Sequence, residues 1–426
     1  MEDSIISRLQ DTREWIGDTD YQLNYSLTVF VGIFNGEKYL VSLLEQMETQ
    51  INQDVYWLVV DNHSSDRSWE IVKSWIVRFP GRITIVRNPT NVGGAGSMSI
   101  NFDLIHTPWV TFFHQDDFYK PDHLLVLSNA VLKAKPEVVA ISTDMGSISS
   151  SGKILGSPPR SIWFQKTNDP ITAFLTNLRA QSIPWGSSAF LVEPFVKVLP
   201  AWHSTSFPDT EMVLKLCNYG KFINIPRETM LYQENEMSES HSINYTEKMI
   251  GATAALSRVF ASQEFVMLCK SVAESDKTDF VSAVLKGIKT RLGESPLATL
   301  VSLIASESMA ISWNYSEPTS LQTVSSIYKS IDAKFASELL DKLLNSLNYV
   351  KSPLLKDGDF QIQDLITLVN RPSSDVMNAS SRIRTTYQAM GGYIPYKLRK
   401  MILKSLLRLK ISVRPKHPWN FKWRQH

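Results

Sequence analysis

From Leu27 onward the sequence alternates short apolar runs with amphipathic stretches of about 10 to 15 residues, a rhythm that few architectures accommodate. Leu27-Thr28-Val29-Phe30-Val31-Gly32-Ile33 predicts a buried strand, and a helix follows from Gly36 to Gln50. Tyr56-Trp57-Leu58-Val59-Val60 predicts a second strand that ends at Asp61, with a helix from Asp66 to Phe79. Ile83 to Val86 is a third strand, a helix follows Gly96, and Trp109-Val110-Thr111-Phe112-Phe113 is a fourth strand. Pro121, at a first-turn position, opens the next helix, and Val138 to Ser142 continues the strands. Strands separated by helices in this way imply an α/β, Rossmann-like domain with a mostly parallel sheet covered on both faces.

Residues 145–185 are rich in Ser, Gly and Pro and interrupt the rhythm, as substrate loops inserted into α/β domains do. Pattern returns at Gly186 to Val192, in a helix from Asp209 to Tyr219, and in short strands at Phe222 to Ile225 and Thr229 to Tyr232. Beyond residue 246 strand signals fade, and helical periodicity runs to residue 410. The expected organisation is an N-terminal arm over 1–25, an α/β domain over 26–245, an all-α region over 246–390 and a tail over 391–426.

Composition narrows the class. The two cysteines, Cys217 and Cys269, have no metal-type spacing, so neither a disulfide framework nor a zinc site is expected and a reducing cytosol fits. Met1-Glu2-Asp3-Ser4 has no basic region followed by an apolar core, so no signal peptide is expected, and the apolar stretch from Leu297 to Ile311 is interrupted by Ser302, Ser306 and Glu307, too polar for an expected membrane span. The formal net charge of +2 hides an asymmetry. The last 36 residues hold ten Lys or Arg and no acid, which leaves 34 basic against 42 acidic residues in the first 390. An acidic body with a basic tail calls for an anionic partner.

The chemistry-bearing residues fall at strand ends, where open α/β sheets bind ligands. Ile33-Phe34-Asn35-Gly36 ends the first strand, and Asp61-Asn62-His63-Ser64-Ser65-Asp66 ends the second. Asp61 suits a hydrogen bond to a base or ribose edge, whereas Ser64 and Asp66 also fit a helix N-cap. Asn91-Val92-Gly93-Gly94-Ala95-Gly96 follows the third strand; its glycines permit close backbone approach to a ligand or make a plain turn. The fourth strand stops at His114-Gln115-Asp116-Asp117, where two adjacent carboxylates either cap the next helix or hold a divalent cation that carries a diphosphate.

In that order, these motifs resemble the GT-A nucleotide-sugar glycosyltransferases, specifically the large inverting group numbered family 2, over about residues 26–240. The resemblance implies a GT-A domain in which Phe34, Asn35, Asp61, Ser64, Asn91 and Gly93 contact the donor nucleotide. It makes Asp116 the metal ligand with Asp117 in support, and the cofactor Mg²⁺ or Mn²⁺. His114 stands where the family has its first acid, and would contact the ribose or diphosphate or join the metal shell. Asp209, in Pro208-Asp209-Thr210-Glu211, matches the family's general base, with Pro208 in place of the usual first acid; Glu211 is the second candidate, and a helix cap is the simpler role for Asp209. Trp185, Gly186 and Ser187 match a Gly-Ser stretch lining the donor sugar and acceptor, although Trp185 equally suits packing beneath the loop. His241 is a candidate metal or phosphate contact.

In the tail, Lys397, Lys400, Lys404 and Arg408 fall on one side of a helical pattern and Leu398, Ile402, Leu406 and Leu409 on another; Trp419, Phe421 and Trp423 follow. Residues 395–424 therefore suit an anionic membrane surface, with docking on the acidic body as the alternative and nucleic acid not expected. The expected function is an inverting sugar transfer from a nucleotide-diphosphate donor to a glycan or lipid-linked glycan acceptor. It would serve cell-surface polysaccharide synthesis, such as O-antigen or capsule, by a cytoplasmic enzyme peripheral to the inner face of the membrane, with homo-oligomerisation open. A non-catalytic glycan-binding or scaffolding subunit that retains the fold is the competing reading. A nucleotidyltransferase would want a basic Gly-rich loop that Phe34-Asn35-Gly36-Glu37 does not supply.

Overall fold

The computed structural model describes residues 2–17, 23–50, 54–149, 152–154, 169–179, 183–199, 207–234, 245–293 and 296–313. His241 and the tail over 391–426 lie outside them. The chain divides into two compact units, Met1–Asn177 with Gln181–Asn235, and Leu178–Ala180 with Glu236–His426.

Unit 1 opens with α1 (Glu2–Asp11) and the short strand β1 (Glu14–Ile16). The strand–helix rhythm then runs β2 (Leu27–Ile33), α2 (Leu40–Thr49), β3 (Val55–Asp61), α3 (Ser68–Lys73), β4 (Ile83–Arg87), α4 (Gly93–Asn101) and β5 (Trp109–His114). It continues through β6 (Phe118–Tyr119), α5 (His123–Leu132), β7 (Val138–Ser149), α6 (Pro170–Arg179), β8 (Ser188–Leu191), α7 (Val192–Lys197), α8 (Pro208–Leu216) and β9 (Lys221–Glu234). Among the described residues these strands form one sheet in the order β1-β4-β3-β2-β5-β8-β7-β9-β6.

The block β4-β3-β2-β5 is parallel throughout, and all seven residues of β3 are buried. That is why these strands read as unbroken apolar runs: helices cover both faces, so neither face needs polar side chains. Between the sheet and the crossover helices, Trp57 packs edge-on to Phe113 with ring centroids 5.4 Å apart, and against Phe79 at 5.9 Å. Helix α2 buries Leu40, Leu43 and Met47, the helical i, i+3, i+7 positions. Each such side chain contributes about 1.5–3 kcal/mol by leaving water.

The connection from β2 runs to β3 on one side, whereas β5 lies on the other side of β2. This reversal leaves a crevice outside the carboxyl ends of β2 and β5, the usual ligand position in such sheets. Beyond β5 the sheet becomes mixed: β8 is antiparallel to both β5 and β7, and β9 runs parallel to β7 with register shifts.

Three expectations are corrected here. The segment over 145–185 is not wholly irregular, because β7 extends to Ser149 and α6 occupies Pro170–Arg179. The two short strands expected between Phe222 and Tyr232 are one strand, β9, since its long pairing with β7 carries it through the polar Pro226-Arg227-Glu228. The helix expected from Asp66 to Phe79 is a six-residue α3 followed by a 3-10 turn over Ser74–Val77.

Unit 2, in its described part, is helical: α9 (Tyr245–Phe260), α10 (Gln263–Lys270), α11 (Lys277–Leu292) and α12 (Pro296–Ser312). Ser262 caps α10 by accepting the Phe265 N–H, and Phe260 packs edge-on to Phe265 at 4.8 Å. No helix among the described residues is long and apolar enough to cross a membrane.

Candidate active site

The loops after β2 and β3 are laced together by short polar side chains. Asn35 donates its N–H to Ser64 Oγ at 3.0 Å, while its Oδ1 accepts the Ser65 N–H at 2.8 Å. Gly36 N–H donates to Ser68 Oγ and Glu37 N–H to Asp66 Oδ2. Asn35 and His63 hold left-handed backbones, with φ of 46° and 60°, and local hydrogen bonding eases that conformation for Asn. The cap position of α3 is Arg67, and Asp66 beside it accepts the N–H of Ser68, the first residue of the helix, at 2.9 Å; Ser64 lies outside the cap. Burial would raise the Asp66 carboxyl, but hydrogen bonds from Ser68 and Glu37 outweigh it and hold the group below its ordinary value.

Asp61 closes β3 with its side chain fully buried. It accepts the Ser64 N–H at 3.2 and 3.3 Å and pairs with Arg87 Nε at 3.3 Å across the β3–β4 register. Burial nonetheless dominates and raises its pKa, against the hydrogen bonds from Ser64 and the charge of Arg87. Arg87 lies over the Trp69 ring at 5.5 Å and donates to Ser64 O. The turn at Asn91–Gly93 lies beside this strand end. Asn62 Nδ2 donates to Asn91 Oδ1 at 2.8 Å, and Asn62 Oδ1 accepts the Val92 N–H at 3.2 Å.

Across the crevice, the two carboxylates after β5 have different fates. Asp117 is buried and both its oxygens are engaged: Oδ2 with His114 Nδ1 at 3.0 Å, Oδ1 with the Gln233 N–H of β9 at 3.0 Å. Asp116 is half-buried, and burial followed by the Asp117 charge raises its pKa, only partly offset by His114 and Lys38. For His114, burial acts to lower the pKa, but the Asp117 hydrogen bond and the charges of Asp117, Asp116 and Asp209 raise it overall. Its side chain keeps 43% of its surface open. Helix α5 begins at His123 behind Asp122, so the acid pair is not its cap.

Two residues that sequence reasoning passed over brace this corner. Gln115 accepts the Phe34 N–H at 3.1 Å and donates to Phe34 O at 3.0 Å, tying the β2 loop to the β5 loop. Tyr119 accepts the His114 N–H at 2.8 Å and stacks on Phe113 at 3.6 Å. Lys38 is a third; its proximity to Asp116 was hidden by its place in a helix-entry turn.

Asp209 sits in the first turn of α8, behind Phe207, whose φ of 55° forces the chain sharply into the helix. The cap position is Phe207, not Asp209, and the Asp209 charge reaches His114. Glu211 is 2% exposed and ion-paired to Lys215 at 2.7 Å. Trp185 stacks on Phe112 at 4.7 Å within a cluster that includes Phe190 and Phe195, the packing alternative for this residue. Gly186 is buried where a Cβ would run against Met230 and the Tyr119 hydroxyl, and Ser187 Oγ donates to Thr143 O. Among the described residues, no group of three or more His, Cys, Asp or Glu side chains is arranged to hold a metal ion.

The structure thus brings Phe34, Asn35, Asp61, Ser64 and His114–Asp117 to one end of the parallel block, with Asn91–Gly93 beside Asp61 and Asp209 beside His114. Residues 28–199 match the model of glycosyl transferase family 2. The chain is 27% identical over 107 residues to an uncharacterized glycosyltransferase of Haemophilus influenzae, covering 25% of this chain and 42% of that protein. It is 29% identical over 91 residues to the teichoic acid poly(glycerol phosphate) polymerase of Staphylococcus epidermidis, covering 21% of this chain and 13% of that protein. The chain therefore spans less than half the length of these curated relatives. Among solved structures, S. aureus TarS 1-349 in complex with UDP-GlcNAc overlays with a TM-score of 0.46 at 14% identity, covering 68% of this chain and 89% of that one. Over residues 28–199, the segment that carries the parallel block and its strand-end residues, the chain is similar to family 2 glycosyl transferases.

Proposed function

We propose that this chain is an inverting glycosyltransferase that moves a sugar from a nucleotide-diphosphate donor to a hydroxyl of a glycan or lipid-linked glycan in cell-surface polysaccharide synthesis. The observation that carries this reading is the gathering of Asp61, Asp116 and Asp209, from three distant segments, around the crevice at the sheet's topological switch. The match of residues 28–199 to family 2 supports it, and the similarity to a teichoic acid polymerase supports a cell-envelope polymer as the product class.

In this reading Asp61 and the Asn91–Gly93 turn receive the nucleotide, and Phe34 and Asn35 border it. Asp209 takes the proton of the acceptor hydroxyl as its oxygen attacks the anomeric carbon; the new C–O bond forms as the bond to the diphosphate breaks on the opposite face, which inverts the centre. Asp116, a half-buried carboxylate repelled by Asp117, would hold a Mg²⁺ or Mn²⁺ ion, which would supply positive charge to stabilise the leaving diphosphate. Asp117 orients His114 beside it. Residues 395–424 would hold the chain at the inner membrane face, and His241 would be a metal or phosphate contact; both lie outside the described residues.

The test is sugar transfer and donor hydrolysis across a panel of nucleotide-sugars, with Asp116→Ala and Asp209→Asn alongside wild type. Loss of activity in both variants, with nucleotide binding kept in Asp209→Asn, is expected. Full activity in both would overturn the assignment. A wild-type chain that binds no nucleoside diphosphate would favour a scaffold that keeps only the fold.

A further inference from the structure

A line of hydrogen bonds runs from the N-terminal arm to the Asn91–Gly93 turn. Arg13 has only 10% of its side chain exposed. Its guanidinium grips Asp103 through two contacts of 2.8 Å, Ile100 O at 2.8 Å and Asn101 Oδ1 at 3.2 Å. Asn101 Nδ2 then donates to Asn88 Oδ1 at 2.8 Å, Asn88 Nδ2 to Asn62 Oδ1 at 3.0 Å, and Asn62 Nδ2 to Asn91 Oδ1 at 2.8 Å. Asn101, Asn88 and Asn62 each accept on the oxygen from the arm side and donate through the nitrogen toward the turn. The spare donors are also used, Asn101 on Ser97 O and Asn88 on Ser97 Oγ.

Three properties set this line apart from hydrogen bonds made at the solvent boundary. Asn101, Asn88 and Asn62 are 0%, 1% and 5% exposed, so a broken link cannot be mended by bulk water. The dipoles are aligned head to tail with a cation at the donor end, an arrangement in which each bond strengthens the next. The last two oxygens of the line hold the turn itself: Asn62 Oδ1 accepts the Val92 N–H and Asn91 Oδ1 the Gly93 N–H at 2.9 Å. Asn91, Gly93 and Gly94 are exposed and Val92 is half-buried; the first fully buried side chain after the turn is Ala95.

We propose that the arm is a working part of the donor-nucleotide site, and that Arg13, Asn101 and Asn88 are positioning residues that fix the Asn91–Gly93 turn against the nucleotide. The inference rests on the reading that this turn and Asp61 receive a nucleoside diphosphate. Because the coupling is reciprocal, nucleotide held at the turn also holds the arm.

The experiment uses the full chain, wild type and Arg13→Met, Arg13→Lys, Asn101→Ser and, as a control, Arg78→Met, which breaks the Arg78–Glu48 pair elsewhere on the same unit. Calorimetry with UDP, GDP, CDP and ADP and hydrogen exchange resolved at Val92, Gly93 and residues 9–16 are the readouts. In Arg13→Met and Asn101→Ser, exchange at Val92 and Gly93 should rise by about 10-fold or more while amides of β2 and β5 stay protected. The dissociation constant of the preferred nucleotide should rise by about 5- to 20-fold. Arg13→Lys should fall between, and Arg78→Met should match wild type. Bound nucleotide should slow exchange over residues 9–16 in wild type and not in Arg13→Met. Wild-type binding with unchanged affinity and exchange in both variants overturns the inference alone. Failure of the wild-type chain to bind any of the four nucleotides overturns the donor-site reading and the inference with it.

Discussion

His114 Nδ1 and Asp117 Oδ2 lie 3.0 Å apart, and the other oxygen of Asp117 holds the Gln233 backbone, so one buried carboxylate fixes both the imidazole and the end of β9. Asp117→Asn keeps the shape and loses the charge. It should lower transfer activity by about 10- to 100-fold, as loss of an orienting partner does around a metal-associated site. Asp117→Ala should in addition destabilise unit 1 by about 1–3 kcal/mol, because the Gln233 N–H is left unpaired. Transfer assays and denaturant titration separate the two effects.

Asp209 and Glu211 stand two residues apart and should behave in opposite ways. Asp209→Asn should lower kcat by about 100-fold or more with little change in stability, as expected for a general base on a half-buried first turn replaced by its isostere. Glu211→Ala strands the Lys215 ammonium, and should cost roughly 3 kcal/mol of stability. Steady-state kinetics beside thermal melting decides which acid does the chemistry. A Glu211→Gln variant that melts normally yet loses kcat would transfer the role to Glu211.

An added Cβ at Gly36 would strike Gln115 Oε1, so the end of that side chain would have to move aside. Gly36→Ala should displace Gln115 from Phe34, destabilise the chain by about 1–2 kcal/mol and weaken nucleotide binding. Gly36→Ala combined with Gln115→Ser removes the clash, and should recover much of the stability. A double-mutant cycle with no coupling between the two positions would contradict this account.

His123 is fully buried, and burial lowers its pKa to about 3. Its Nδ1 is matched with Thr229 Oγ1 at 2.7 Å, while Nε2 is buried without a partner, which suits a neutral ring. The unfolded chain titrates this group near 6.5. Between pH 6.5 and about 3 the unfolded state therefore binds the extra proton, and stability falls as pH falls. A single group contributes a slope of at most about 1.4 kcal/mol per pH unit. His123→Gln should flatten that limb of the stability–pH curve, measured by urea titration at a series of pH values; an unchanged limb would show that His123 is charged in the folded state.

The parallel block was legible because each of its strands is buried on both faces; Leu27–Ile33 and Trp109–His114 could not be mistaken for amphipathic helix. The extension of β7 was not, because Gly146, Ser147 and Ser149 are small residues around a single apolar Ile148 and resemble a loop. β1 spans three residues, too few for a periodicity. In the site, residues whose own chemistry is distinctive, such as Asp61 and Asp116, stood out in the sequence. Gln115 and Asn88 did not, because their contribution lies in which backbone or amide they meet, and that depends on register: Asn88 reaches Asn62 only because Asp61 faces Arg87 across β3 and β4.

The pairing of β1 with β4 also has a bearing on solubility. Glu14–Ile16 occupies the hydrogen-bonding edge of Ile83–Arg87, a run rich in β-branched residues that would otherwise end the sheet as an open template. At the far border the sheet ends in a strand of two residues, too short to recruit another chain. A protein shortened past Ile16 would lose this guard, and its bare strand would seek a neighbour's, turning a closed sheet border into a seed for edge-to-edge association.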